Sequence, residues 1–278
     1  MIEPSRIADA WRDETEVALV AAGDAADLIL SMRSSIKAQI KADGTIVTAA
    51  DLAAAELIRK TILEAFPDDA VLTEEDQAAT DRLSRTRCWV VDPLDGTEKF
   101  AKGYDSFDVF VTLAREGELV VAVSVQPVTG IVMLASAGGG CHIRESGQWR
   151  QLEVAHLPRN PVIGTRPWLG APANLAFLEP VVRKMGGTVV LPVAGVSPRS
   201  LVTDLDAIVG MFPHGRPSAV WEWDVAPYDL MMREAGGWAT DLHGAPLRFN
   251  QPDPRFQAGV VFARSSDLGR ALVEGLSG

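Results

Sequence analysis

The sequence predicts a two-lobed α+β chain, and three observations carry that expectation. Two helical stretches open it, at residues 7–33 and 48–66. Three short apolar runs then lie between residues 107 and 136, divided by tight turns, which is the pattern of an antiparallel sheet. Beyond about residue 155 strands and helices alternate, the texture of an α/β unit. The expected division is an N-terminal α+β lobe over residues 1–155 and a C-terminal α/β lobe over 156–278. The stretch from His156 to Pro161, with Pro158 inside it, is the expected junction.

In order, the first helix sets Ile7, Trp11, Val17, Val20, Ala21, Leu28 and Met32 on its apolar side. Residues 37–48 are short, polar and Gly-containing, so a hairpin or mobile loop is expected. Thr48-Ala-Ala-Asp51 opens the second helix, whose Leu52, Ala55, Ile58, Ile62 and Phe66 recur at helical spacing until Pro67 ends it. Residues 70–73 and 88–91 read as brief strands, the second stopping at Asp92-Pro93. The sheet runs are 107–113, 119–126 and 131–136, with turns at Glu116-Gly117-Glu118 and Val128-Thr129-Gly130. The second lobe is read as strands at 161–165, 188–192 and 207–211, helices at 174–185, 199–204 and 225–235, and a closing strand–helix pair over 259–276.

Composition excludes several classes. An apolar fraction of 47% with 23% charged residues is that of a globular protein, neither disordered nor fibrous. The formal net charge of −11 repels nucleic acid and anionic membranes, and suits a chain that holds cations. Cys88 and Cys141 stand far apart with no Cys/His cluster, which speaks against structural zinc and for reduced thiols. The opening residues are acidic, without the basic and apolar regions of a signal peptide. Residues 17–29 are too short, and with Asp24 and Asp27 too charged, to span a bilayer. A cytoplasmic location, with no nucleic-acid or membrane partner, is the expectation.

Four segments carry chemistry. Trp89-Val-Val-Asp92-Pro93-Leu94-Asp95-Gly96-Thr97 puts two carboxylates three residues apart at a strand end, with Pro93 fixing the backbone and Gly96 permitting a tight turn. Two carboxylates and a carbonyl aimed at one point are the all-oxygen set that hard divalent cations take. Gly96 and Thr97 would then open a short helix whose N–H groups suit a phosphate. Taken alone, an Asx turn capping a helix accounts for the same residues. Leu72-Thr73-Glu74-Glu75-Asp76 could complete a metal cluster or be a solvated acidic loop, with Thr73 and Asp76 at capping-box spacing. Trp221-Glu222-Trp223-Asp224 precedes a helix, so Asp224 could be an N-cap; set beside two tryptophans, its charge is costly unless paired or metal-bound. Lys41 to Asp51 ends in a second possible capping box, Thr48 with Asp51.

Together and in this order, the four segments resemble the inositol monophosphatase superfamily of magnesium-dependent, lithium-sensitive phosphatases. The resemblance runs from Lys41 to Gly237. It rests most firmly on Asp92-Pro-Leu-Asp-Gly-Thr97 followed by Phe100, and on Trp223-Asp224-Val-Ala226 with Glu-Ala-Gly-Gly237. It implies a layered αβαβα sandwich and a homodimer. It also implies two or three Mg²⁺ ions. Glu74, Asp92 and the Leu94 carbonyl would hold the first; Asp92, Asp95 and Asp224 the second; Glu74 would help order a third through water. It places the phosphate on Asp95, Gly96 and Thr97, makes Glu74, Thr97 and Asp51 the residues that orient and deprotonate water, and puts Lys41 on a mobile active-site loop.

The resemblance leaves the substrate open. Lys41–Asp51, Thr73 and Glu222-Trp-Asp224 lean toward the nucleotidases that act on 3′-phosphoadenosine 5′-phosphate. Pro227-Tyr228 departs from the family's usual Ala-Gly. Inositol 1-phosphate is the runner-up, then histidinol phosphate and fructose 1,6-bisphosphate. Residues 193–216 are expected to line the leaving-group pocket, where Arg199 or Arg216 could read a second phosphate. A non-catalytic regulatory binding partner would instead show a degraded acidic cluster or a basic face, and this sequence shows neither. The four histidines, at 142, 156, 214 and 243, are scattered and suggest no competing nucleophilic site.

Overall fold

The computed structural model describes residues 9–35, 38–40, 46–76, 80–154, 159–165, 172–191, 197–200, 204–210 and 220–277. Two sheets and the helices around them form five layers. A seven-stranded sheet is built from β3 (Ala70–Thr73), β4 (Arg87–Asp95), β5 (Asp108–Arg115), β6 (Glu118–Gln126), β7 (Ile131–Ser136), β8 (Gly140–Glu145) and β9 (Gln148–Leu152), in chain order across the sheet. β3 and β4 are parallel and every later pair is antiparallel, as the tight turns require.

One face of this sheet is covered by α1 (Arg12–Met32) and α2 (Ala49–Ala65). The other carries α5 (Glu222–Glu234), which also packs on the second sheet. That sheet has the order β11 (Thr188–Val190), β10 (Val162–Gly164), β12 (Ala207–Gly210), β14 (Val260–Ala263), β13 (Trp238–Asp241). Its outer face is closed by α4 (Pro172–Lys184) and α6 (Ser266–Ser277). This is the αβαβα sandwich. β10, β11 and β12 are parallel, but β14 runs antiparallel to both β12 and β13, so the second sheet is mixed.

Burial on both faces explains why the central strands are almost continuously apolar. In β4, Trp89 and Val91 point into the core under α1 and α2, while Cys88 and Val90 point toward α5. In β5, Val109, Val111 and Leu113 take the first face, Phe110 and Ala114 the second.

Three expectations need correction. The buried face of α1 is Ala18, Ala21, Ala22, Ala25, Ala26 and Ile29, whereas Val20 is 54% exposed. Close approach to α2 and the sheet selects small residues there; of the expected positions Ala21 is on that face, and Trp11, Val17 and Met32 pack against it partly buried. Leu52 is likewise exposed, since α2 is buried through Ala50, Ala54, Ala55, Ile58 and Ile62. The strand ending at Asp92-Pro93 instead runs through Asp95, with a register irregularity between Asp92 and Asp95. Pro93 lacks a ladder N–H, and a bulge is where a sheet tolerates that.

Within the stretch 37–48, β1 (Ala38–Ile40) pairs antiparallel with β2 (Ile46–Thr48), as a hairpin requires. The expected junction at 156–161 lies partly outside the described residues. No helix among the described residues is long and apolar enough to cross a membrane.

Candidate active site

β4 is held between β3 and β5; β3 pairs with it as far as Val91, and the end beyond, with Asp92 and Asp95, pairs with β5. There the chain turns sharply. The Leu94 N–H donates to Asp92 Oδ1 (3.0 Å), locking the carboxylate to its own turn. Gly96 follows at φ +96°, and Lys99 and Phe100 N–H donate to its carbonyl (2.9 and 3.0 Å) to start α3 (Thr97–Ala101). A Cβ at Gly96 would also lie 3.3 Å from the Ser106 carbonyl and 3.4 Å from Phe107 Cβ. Both the φ and the crowding demand glycine. Gly96→Ala is expected to cost about 1–3 kcal/mol of stability and to displace the turn carrying Asp95 and Thr97. A melting temperature equal to the parent's would contradict this.

Asp95, beyond the bulge, and Asp224, from the first turn of α5, come together with Asp92 so that one carboxylate oxygen from each lies within 4.8 Å of the others. Asp224 is not the N-cap. The helix begins at Glu222, and the Asp224 carboxylate reaches back to accept from the Trp221 N–H (3.1 Å). Asp92 is buried, and its carboxyl is held well above the usual carboxylate range. Burial is the first cause, then the charges of Glu74, Asp95 and Asp224, opposed by the Leu94 amide. Three converging carboxylates with a fourth nearby, and a carbonyl at Leu94, match the donor set of a hard divalent cation. A cation would offset the mutual repulsion that desolvation makes costly. Glu74 follows β3 and lies outside the triad, though its N–H donates to the Val91 carbonyl (3.3 Å) and its charge reaches Asp92.

A second polar cluster adjoins the turn from the α2 side. Thr48 caps α2, and the Asp51 Oδ2 accepts from both the Thr48 N–H (2.8 Å) and the Thr48 hydroxyl (2.5 Å). The expected capping box therefore forms. Asp51 does more than cap: its Oδ1 accepts from Thr97 Oγ1 at 2.8 Å. Thr97 Oγ1 also lies 3.0 Å from the Leu94 carbonyl, so its one hydrogen has two possible acceptors. Asp51 is 1% exposed, and this bond spans 46 residues of sequence.

Other expected residues fall elsewhere. Lys41, His156, His214, Arg216 and most of 193–216 lie outside the described residues. Arg199 pairs with Glu145 at the end of β8 (2.9 Å). Asp76 donates its N–H to Thr73 Oγ1 (2.9 Å), and its carboxylate pairs with Arg59 (2.9 Å). Cys88 and Cys141 are buried, which pushes both thiols up to about 12 and leaves them unreactive.

Sequence reasoning missed Asp108. It opens β5 directly opposite Asp95, is buried, and accepts from Ser124 Oγ (3.2 Å). Burial and the Asp95 charge push its carboxyl up to about 7. A carboxylate heading an apolar strand was the available signal, but only the strand register sets it behind Asp95.

The chain matches the model of the inositol monophosphatase family over residues 11–271. It is 33% identical over 252 residues to an inositol-1-monophosphatase of Rhizobium meliloti (strain 1021), covering 86% of each chain. It is 31% identical over 237 residues to a 3′-phosphoadenosine 5′-phosphate phosphatase of Mycobacterium bovis (strain ATCC BAA-935 / AF2122/97), covering 83% of this chain and 82% of that one. Its fold matches the crystal structure of extragenic suppressor protein suhB from Bartonella henselae with a TM-score of 0.74 at 23% identity, over 94% of this chain and 97% of the other. A family match over nearly the whole length, with the same fold, makes this chain a member of the inositol monophosphatase family and a phosphoric monoester hydrolase.

Proposed function

We propose that the chain is a Mg²⁺-dependent phosphatase of a small phosphorylated metabolite, with 3′-phosphoadenosine 5′-phosphate as its first substrate. The observation that carries the catalytic part is the pairing of two clusters across one turn: the Asp92–Asp95–Asp224 triad on one side, and Thr97 hydrogen-bonded to buried Asp51 on the other. Glu74, Asp92 and the Leu94 carbonyl would hold one ion, and Asp92, Asp95 and Asp224 a second, with Asp92 shared. Glu74 would help order a third through water. When bound, such ions neutralise phosphate charge and lower the pKa of water.

The protein's own groups do the rest. Asp95 and the amides of Gly96 and Thr97 would seat the phosphate. Glu74 and Thr97 would orient the attacking water. Thr97 Oγ1 can take a proton from that water while passing its own to Asp51 Oδ1, along the 2.8 Å bond between them. No residue of the site is needed as a covalent nucleophile.

The nucleotide bisphosphate is favoured by Thr73 and by Glu222-Trp-Asp224, and one relative at 31% identity bears that activity in its name. Inositol 1-phosphate is the second reading, on the 33% identical relative. Phosphate release with Mg²⁺ separates them, measured on both compounds with histidinol phosphate and fructose 1,6-bisphosphate, each with and without lithium. The nucleotide should lead by about 100-fold in kcat/KM, about 2.7 kcal/mol of differential transition-state binding. A lead for inositol 1-phosphate would reverse the order of the two readings. Slow, equal turnover of all four would remove both.

A further inference from the structure

We propose that Glu222 and Arg82 are positioning residues for Asp224, acting through the backbone of Asn250 and Gln251. The inference rests on the reading of Asp224 as a metal ligand. Glu222 and Arg82 are 1% and 3% exposed. They do not pair with each other directly; they hold opposite sides of the same two residues. The Glu222 carboxylate accepts from the Asn250 N–H (2.6 Å) and the Gln251 N–H (2.8 Å). Arg82 donates to the Asn250 side-chain carbonyl (2.6 Å) and the Gln251 backbone carbonyl (2.8 Å), and the Asn250 amide donates back to the Arg82 carbonyl (3.1 Å). Anion meets donors and cation meets acceptors, so the segment is fixed from both sides by charge-assisted bonds.

That segment in turn fixes the start of α5. Glu222 is its first residue, and its N–H donates to the Pro254 carbonyl (2.8 Å). Phe256 N–H donates to the Val220 carbonyl (3.0 Å), and Arg255 lies over the Trp221 ring at 5.7 Å. Asp224 sits two residues past Glu222, in the same turn. The rest of α5 is seated by apolar burial against both sheets, which does not set the depth of one carboxylate to the fraction of an ångström that a metal site needs. An apolar plug would hold the fold at least as well as two buried charges. Charges at both ends of the clasp make sense where a particular position has to be kept.

The test is calorimetric titration of Mg²⁺ into the metal-free full-length protein and its variants, at matched folded fraction. Glu222→Gln keeps the shape and one acceptor oxygen but loses the charge. It should bind Mg²⁺ about 10-fold more weakly, and at saturating Mg²⁺ its kcat should return toward the parent's. Asp224→Asn is the reference and should bind more weakly still. Asp229→Asn is the control for general loosening. Asp229 is another buried carboxylate on α5, paired with Arg233 (2.7 Å), and its loss should lower the melting temperature while leaving Mg²⁺ affinity at the parent's value.

Parental affinity in Glu222→Gln beside weakened binding in Asp224→Asn would overturn the inference and leave the ligand reading standing. Parental affinity in Asp224→Asn would overturn both. Equal weakening in Asp229→Asn would reduce the effect to stability and overturn the inference. Should Glu222→Gln fail to fold, Asn250→Gly carries the test. Asn250 has φ +57°, which glycine adopts freely, so that variant removes both bonds between Arg82 and the Asn250 side chain, leaves only the bond to the Gln251 carbonyl, and spares the backbone. It too must weaken Mg²⁺, and parental affinity there would overturn the inference.

Discussion

Asp92→Asn is expected to lower kcat/KM by about 10³-fold or more, while the metal-free variant melts at a higher temperature than the metal-free parent. The two effects have one cause. Asp92 is buried and surrounded by the charges of Glu74, Asp95 and Asp224, so its ionised form is unfavourable unless a cation is bound. Asparagine keeps the size and one acceptor oxygen, which can still take the Leu94 N–H. It removes the charge that both proposed ions would share. Losing several kcal/mol of electrostatic stabilisation in the transition state corresponds to the stated drop, at 1.36 kcal/mol for each tenfold. Relief of repulsion should add about 1 kcal/mol to the metal-free protein, a few degrees in Tm. Steady-state kinetics and calorimetric melts with and without Mg²⁺ check both signs. Unchanged turnover would refute the metal assignment. A lower metal-free Tm would refute the account of Asp92 as a strained charge.

Asp51→Asn should slow turnover by about 100-fold, at the low end of what positioned acid–base groups contribute, with Mg²⁺ affinity near the parent's. Asp51 accepts three bonds, two from Thr48 and one from Thr97. An amide cannot accept at both ends, so one link fails. Its effect on the helix start should be about 1 kcal/mol, as for other lost caps. The catalytic loss should be larger because the Thr97 hydroxyl, no longer drawn to Asp51, turns its hydrogen to the Leu94 carbonyl 3.0 Å away. Thr97→Val should match Asp51→Asn, Thr97→Ser should restore much of the rate, and the double variant should be little worse than either single one, since the pair acts as a unit. Additive losses in the double variant would count against a proton path between them. A 100-fold loss of Mg²⁺ affinity in Asp51→Asn would make it a metal-site residue instead.

The acidic turn and the α2 cap were legible because they are local. Gly96 at a positive φ, the Leu94-to-Asp92 bond and the Thr48–Asp51 box each close within three residues. The α1 face was only partly legible, because it is set by how closely α2 and the sheet approach, and alanine carries little signal in a hydrophobic pattern. Asp224 was found through its motif, but its place as the third helical residue, reaching back to Trp221, came from the fold. Asp108 offered only a carboxylate heading an apolar strand, and the Arg82–Glu222 clasp had no local signal at all.

The sequence by itself determined most of the elements, though not the strands β8, β9 and β13, together with the turn that aims Asp92 and Asp95 and the chemistry those oxygens favour. Backbone geometry, capping and alternation act over a few residues and need no knowledge of the rest. Only the tertiary structure decided which distant groups share a site: Thr97 on Asp51 across 46 residues, Asp108 behind Asp95, and Arg82 and Glu222 on either side of Asn250 and Gln251. The physical reason is that burial sets these groups' charges and partners. Burial belongs to the packed layers of two sheets and the helix between them, and no stretch of the chain carries it alone.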